Sequence, residues 1–386
     1  MSELRGITWQ HTRGYLPMVA TAQRFCELNP EVNIRWETRS LQAFADQSIA
    51  QLAESFDLLV IDHPYSGRAA QGDVLLPLDE VLEQAFLEDQ KKNSVGLSYE
   101  SYLYGGHLWA LPTDTATPVS GARTDLLTKH GVSAPNTWSE LIELARQGLV
   151  AVPAIPIDSL MHFYMLCTGL REEPFRNRDA VVSDSVGRSA LEMLRSLLSL
   201  CDSKCLQRNP IATWELMSST DEAAYCPFAY GYSNYARPGY AKHPIEFGGL
   251  VAVDGYTTCR STLGGAGLAI SRYVSDPETA ARYAAFVASA EVQKGIYFEA
   301  GGQPGYRASW IDDEVNRRSG RFFRNTLKTL DEAYLRPRFD EYPPFQEEAG
   351  LIVHKYLMGG GDSRKTLEEL NTLLRRARGN SAEVDL

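Results

Sequence analysis

His11, Arg13 and Tyr15 stand directly after a strand-like run from Arg5 to Gln10. Arg39 and Ser40 follow the alternating run of Val32, Ile34 and Trp36, and Asp62 and His63 follow the apolar run Phe56 to Ile61. Ligands of open α/β sheets lie at the carboxyl ends of the strands, so these three clusters are the first candidates for contacts with a small molecule. Their chemistry is hydrogen bonding: an arginine fork matches a carboxylate, and an aspartate accepts from hydroxyls. The same aspartates equally serve as helix or turn caps. Thr113, Asp114 and Thr115 form a further polar cluster between Pro112 and Pro118.

In the second half, Asp158, Ser159 and His162 lie near a helix start, and Tyr230, Tyr232 and Tyr235 follow a strand. An aromatic face suits a sugar, whose C–H face is apolar and whose rim is polar. The alternative for each tyrosine is a place in the core. Arg307, Arg336 and Arg338 complete the basic candidates, and one or two arginines at the site would suit an acidic solute.

Signatures of catalysis are few. The chain has no H-E-x-x-H, no G-x-S-x-G and no dinucleotide fingerprint. Gly359-Gly360-Gly361 lacks the lysine of a phosphate loop and reads as a linker between helices. His11 with His63 offers one acid–base or metal pair, and Cys226 or Cys259 with Asp62, Asp114 or Asp158 one nucleophile with an acid. Of six cysteines only Cys201 and Cys205 are close, as C-x-x-x-C. A structural zinc site needs a second such pair, so the cysteines read as buried small hydrophobes, and no metal or cofactor is expected.

The elements that position these residues alternate. Strands at Arg5 to Gln10, Val32 to Trp36 and Phe56 to Ile61 are separated by helices at Tyr15 to Leu28 and Ala43 to Ser55. This β-α-β-α-β order predicts a parallel sheet covered on both faces. A hairpin is expected around Gly105-Gly106, and a crossing segment over Leu111 to Pro118. Thr137-Trp138-Ser139-Glu140 is a capping box opening a helix to Gln147. Strands are expected at Leu149 to Ile155, Tyr225 to Ala229, Phe247 to Val253 and Gly264 to Ile270, with helices at Asp158 to Leu170 and Ser185 to Leu200. Asp276-Pro277-Glu278 opens another helix, with proline where its missing N–H costs nothing. Gly301 to Arg307 reads as a second crossing, the chain from Asp312 as nearly all helix, and Gly379 to Leu386 as disordered.

The formal charge of −11 argues against a nucleic-acid surface. No run approaches the roughly 18 apolar residues of a membrane span. Met1 to Arg5 has no apolar stretch like a leader, which leaves the cytoplasm open as a location.

Several short runs carry a resemblance. Ile7-Thr8-Trp9, Phe56 to Val60, Gly106-His107-Leu108-Trp109-Ala110-Leu111-Pro112, Ala229-Tyr230-Gly231-Tyr232-Ser233-Asn234 and Gly264 to Ile270 occur in an order similar to that of the bacterial extracellular solute-binding proteins of ABC importers, in the branch that includes maltose-binding protein. The resemblance implies an α/β, two-lobed periplasmic-binding-protein-like fold of type II, with discontinuous lobes joined by hinge segments. The lobes would be 1–112 with 260–304, and 113–259 with 305–386. It implies a monomer that binds a sugar, sugar acid or similar solute in the cleft by hinge closure and delivers it to permease subunits, in the periplasm or outside the cell. It adds Trp9 and Gly265 to the ligand-binding candidates and puts Tyr230 where the family has a stacking tryptophan. Two rivals stand beside this reading: an enzyme on the same fold, as in a thiamine-cleaving enzyme with a cleft cysteine, and a cytosolic ligand sensor.

Overall fold

The structure is a computed structural model that describes residues 2–40 and 48–379. The elements that carry the argument run β1 (Ser2–Trp9), α1 (Thr12–Leu28), β2 (Val32–Arg39), β3 (Leu58–Ile61), β4 (Leu103–Tyr104), β5 (His107–Leu108), β6 (Leu111–Ala116) and β7 (Pro118–Ala122). Then come α2 (Trp138–Arg146), α3 (Pro156–Gly169), α4 (Asp184–Ser199), α5 (Pro210–Ser219), β8 (Tyr225–Tyr230), β9 (Glu246–Gly248), β10 (Gly264–Ile270), α6 (Pro277–Ala288), α7 (Tyr342–Gly359) and α8 (Ser363–Gly379).

The chain divides into two units. The first comprises Met1–Ala116, Gly264–Arg317 and Arg338–Asp340; the second comprises Thr117–Leu263, Arg318–Pro337 and Glu341–Leu386.

In the first unit a five-stranded sheet has the order β2-β1-β3-β10-β6. β1 pairs parallel with β2 and β3, whereas β10 runs antiparallel to β3 and β6. The expected parallel sheet therefore ends at β3, because the strand beside it arrives from far along the chain rather than through a helical crossover. Leu58, Leu59, Val60 and Ile61 are all buried, as a strand covered on both faces requires. Burying each such aliphatic side chain is worth about 1.5–3 kcal/mol. Phe25 of α1 packs edge-on against Tyr283 of α6, with ring centroids 5.4 Å apart.

Several expectations for this unit need correcting. Only Ile49–Ala53 of the expected 43–55 helix is helical, and 41–47 lie outside the described residues. Leu111–Ala116 form β6, and the chain passes from the first unit to the second between Ala116 and Thr117, within the expected crossing segment. The run 301–307 is not a crossing: Gln303 Nε2 donates to Thr115 O at 2.8 Å and Gly305 N–H to Thr113 O at 3.2 Å. A Cβ on Gly305 would lie 1.9 Å from Pro112 O, so glycine is what lets the two backbones meet there. Residues 305–317 thus lie in the first unit, where the sequence reading had put them in the second.

In the second unit β7 lies between β8 and β9, antiparallel to both. The expected strand at 149–155 is reduced to a parallel bridge from Val150 to Tyr225, with Ala151 N–H donating to Tyr225 O at 3.0 Å. The expected strand at 247–253 stops at Gly248. The capping box at Thr137 forms in both directions, and Asp276 caps α6 with Pro277 in its first turn. The triple glycine lies between α7 and α8. Residues 380–386, within the segment expected to be disordered, lie outside the described residues.

Candidate functional site

Register brings most of the first unit's candidates to one edge of its sheet. Trp9 pairs with Arg39 across β1 and β2. β3 ends at Ile61, directly before Asp62 and His63. Because β10 is antiparallel, its first residues reach that same edge: Gly267 sits opposite Ile61, and Gly265 and Ala266 sit opposite Thr115 and Asp114. α1 starts here too, its Arg13 N–H taken by His11 Nδ1 and its Gly14 and Tyr15 N–H groups by His11 O.

The strongest contact at this edge is internal. Arg13 and Asp114 form a two-pronged ion pair, Nε to Oδ2 at 2.8 Å and Nη2 to Oδ1. Both side chains are almost wholly buried. Burial pushes the Asp114 carboxyl above its ordinary value, and the Arg13 guanidinium pulls against that push. Arg13 also lies 5.9 Å from the centre of the Trp9 ring. The charge of Arg13 is therefore already matched within the protein.

His11 caps α1, its Nδ1 accepting from Arg13 N–H at 3.0 Å. Burial, with the nearby Arg13 charge, lowers its pKa to about 4, so the ring is neutral at pH 7 and carries its proton on Nε2. Arg39 is buried, donates to Val60 O at 3.1 Å and is lowered by burial to about 10. Asp62 caps the 3-10 turn His63–Tyr65 through His63 N–H at 2.9 Å, which is the capping role. His63 is buried and meets the Tyr102 ring edge-on. Tyr15 is half-buried and Ser40 exposed. Thr113 is buried within β6, and the Thr115 hydroxyl is buried without a hydrogen-bond partner among the described residues.

Gly265 has a structural reason to be glycine. Its φ is +107°, and a Cβ would lie 2.4 Å from Asp114 O. It sits beside the register shift of β10 against β6. Arg307 opens the helix Arg307–Ile311, shortly after the Gly305 contact with β6.

The second unit has its own strand-end cluster. Cys226, Phe228 and Tyr230 lie on β8, whose pairing with β7 shifts register between Cys226 and Ala229. The His162 ring on α3 packs on Phe228 with centroids 4.5 Å apart. Asp158 and His162 are one helical turn apart, on one side of α3. Burial pushes the Asp158 carboxyl well up and lowers His162 to about 3, the latter opposed by a hydrogen bond to the Phe228 backbone. Asp158 Oδ2 and His162 Nδ1 are buried and have no hydrogen-bond partner among the described residues. Buried polar atoms in that state are uncommon and each asks for an explanation.

Tyr230 is half-buried at the end of β8, its hydroxyl 3.4 Å from Thr262 Oγ1 and its carbonyl accepting from Trp214 Nε1 at 2.8 Å. Tyr232 and Tyr235 are buried, and the Tyr235 hydroxyl donates to Glu215 at 2.6 Å. Both are core tyrosines here. Thr262 and Trp214 were missed by the sequence reading. Neither stands in a local pattern, and each meets Tyr230 only through the fold.

Nucleophilic chemistry finds little support in these groups. Burial pushes the Cys226 thiol well up and the Cys259 thiol to about 12, where a nucleophile needs the reverse. Among the described residues no group of three or more His, Cys, Asp and Glu is arranged to hold a metal ion, and no helix is long and apolar enough to cross a membrane.

Comparison with known proteins finds similarity both in sequence and in fold. Residues 8–165 match the sequence model of the family described as bacterial extracellular solute-binding protein. A Deinococcus radiodurans protein described as a probable ABC transporter-binding protein is 24% identical over 371 residues, covering 87% of this chain and 84% of that one. The structure is similar to maltose-bound MalE3 of T. maritima, with a TM-score of 0.84 at 18% identity over 97% of this chain and 100% of that one. It is also similar to an ABC transporter solute-binding protein of Agrobacterium radiobacter K84 in complex with ribitol, with a TM-score of 0.82 at 17% identity over 97% and 98%. The fold is thus the two-lobed periplasmic-binding-protein fold. The resemblance to the bacterial extracellular solute-binding proteins holds in sequence over residues 8–165 and in fold over nearly the whole chain.

Proposed function

We propose that this chain is the substrate-binding component of an ABC importer, holding a small neutral polyhydroxy solute, a sugar or sugar derivative, for delivery to permease subunits. The observation that carries this reading is the pair of partnerless buried atoms, Asp158 Oδ2 and His162 Nδ1, with the His162 ring packed on Phe228 of β8. An acceptor and an imidazole next to aromatic faces match the rim and the C–H face of a sugar. Neighbours of the same fold were solved with maltose and with ribitol, which supports the same solute class. In the first unit, taken by itself, the proposed solute contacts are Trp9, His11, Tyr15, Arg39, Ser40, Asp62, His63, Thr113 and Gly265, with Arg307.

A neutral solute is favoured over an organic acid because the Arg13 guanidinium is neutralised by Asp114. A binding rather than catalytic role is favoured by the raised thiols. The test is a thermal-shift screen of sugars, polyols, sugar acids and small carboxylates. A ligand that binds only the folded state adds about 2.7 kcal/mol at a hundred times its Kd. A shift confined to sugars or polyols, with the compound recovered unchanged, is expected. A shift confined to carboxylates, or recovery of an altered compound, overturns the proposal.

A further inference from the structure

We infer that a bulge in β8 holds the His162 imidazole in one tautomer, so that Nδ1 is an acceptor that selects a solute hydroxyl. The inference rests on the reading of this cluster as a solute site and names the group that the site takes. All the residues involved belong to the second unit.

The strand register locates the bulge. Along the β7–β8 ladder Val119 faces Ala229 and Gly121 faces Cys226. Ser120 therefore stands against both Pro227 and Phe228, one residue against two. Pro227 has no N–H to give to a ladder, and the extra residue of a bulge is left outside the pairing. The Phe228 backbone turns to side chains instead. Its N–H donates to the Cys226 thiol, and its carbonyl accepts from the His162 ring. The Phe228 ring packs on the imidazole with centroids 4.5 Å apart.

These two contacts with one residue fix the place and the rotation of the imidazole. A carbonyl only accepts, so the ring nitrogen facing it carries the proton. Of the two nitrogens, Nδ1 is the one without a partner among the described residues. The proton is therefore on Nε2, and Nδ1 offers a lone pair. His162 is 1% exposed, and burial keeps its ring neutral at pH 7. A buried acceptor left without a donor costs free energy, so the group that meets Nδ1 must bring a proton.

The neighbouring carboxyl narrows the choice. Asp158 Oδ2, one helical turn away on the same side of α3, is also buried and partnerless among the described residues. A hydroxyl suits this oxygen in either state, giving a proton to a carboxylate or taking one from a carboxyl. A solute carboxylate has no proton for Nδ1. An ammonium has one, but it carries a full charge into a site shielded from water. The hydroxyl of a sugar or polyol satisfies both atoms without a charge. Phe228 and Pro227 are positioning residues here, acting through His162.

Nitrogen resonances of protein labelled with 15N-histidine read the tautomer directly. The chain has seven histidines. The signals missing from His162→Gln, or from His162→Phe where the first variant does not fold, belong to His162. In the ligand-free protein at pH 7, Nε2 should stand at the protonated end of the imidazole range and Nδ1 at the unprotonated end. Ribitol, D-mannitol and maltose are then added, with melting temperatures measured on the same samples. A compound that raises the melting temperature should move Nδ1 toward the protonated end and leave Nε2 in place. His162→Phe, which keeps a ring on Phe228 but no acceptor, should bind that compound about ten- to a hundredfold more weakly. A protonated Nδ1 in the ligand-free protein overturns the inference, as does an Nδ1 moved by succinate or spermidine. A raised melting temperature with Nδ1 unmoved overturns the inference and leaves the sugar-binding reading standing. No rise with any of the three compounds overturns that reading, and this inference with it.

Discussion

Asp114→Ala tests the reasoning about the first unit most directly. The substitution removes both acceptors of the Arg13 fork and leaves a guanidinium in a site where its side chain is 4% exposed. Two charge-assisted hydrogen bonds are lost, each worth about 1.5–3 kcal/mol. Removing one partner of a buried pair costs about 3–5 kcal/mol, because the survivor keeps its desolvation penalty. The larger figure applies here: Arg13 belongs to α1 and Asp114 to β6, so the pair joins elements about a hundred residues apart. Replacing both residues, as Arg13→Met with Asp114→Leu, removes the stranded charge and should recover most of the loss, to within about 1 kcal/mol of the parent. Urea unfolding followed by tryptophan fluorescence reads the effect, since Trp9 lies against Arg13. An Asp114→Ala cost below about 1 kcal/mol, or a double variant no more stable than the single, would refute the argument.

His162 should make stability fall in acid. Its folded pKa of about 3 lies below the ordinary 6.5, so the unfolded chain binds more protons between these values. The contribution is complete above about pH 6.5 and is lost as pH falls toward 3, with about 3 kcal/mol gone by pH 4; His162→Gln should flatten that stretch of a stability–pH curve measured by urea unfolding. Asp158 has the opposite sign: raised by burial, it supports the fold below its unfolded value near 3.9 and costs stability as pH rises. Asp158→Asn should therefore raise the melting temperature at pH 7 while weakening the ligand-induced shift, a combination that a purely structural Asp158 would not produce. Gly265→Ala should cost about 1–3 kcal/mol of unfolding free energy through its backbone angle and its approach to Asp114 O. Thr137→Ala, removing one side of the capping box, should cost about 1 kcal/mol in the same assay.

What the sequence revealed, and what it hid, follows the range of the forces involved. The capping box at Thr137 and the Asp276-Pro277 helix start are visible because their partners lie within four residues. The alternation of Val32, Ile34 and Trp36 marks β2 because every second side chain meets the core. The sheet order was not visible, since hydrophobic periodicity says that β10 is buried but not which strands flank it. The 149–155 run shows the limit of propensity: its composition suits a strand, yet only one bridge supports it. At the candidate sites, strand ends and helix starts picked out the positions. That Arg13 and Asp114 hold each other, and that Asp158 and His162 have partnerless atoms, depends on three-dimensional neighbours no spacing encodes.

The place of β10 in the sheet sets a timetable for the chain as it is made. β3 has β1 on one side, and its other side is taken by a strand about 200 residues further along. At a synthesis rate of about 5–20 residues per second, Leu58 to Ile61 wait roughly ten to forty seconds with one row of backbone groups open. A short, wholly apolar strand with an unpaired side is a template for mispairing with other chains. The risk of aggregation in this protein is therefore concentrated in the newborn chain rather than in the finished molecule, and it ends when residue 270 leaves the ribosome and pairs.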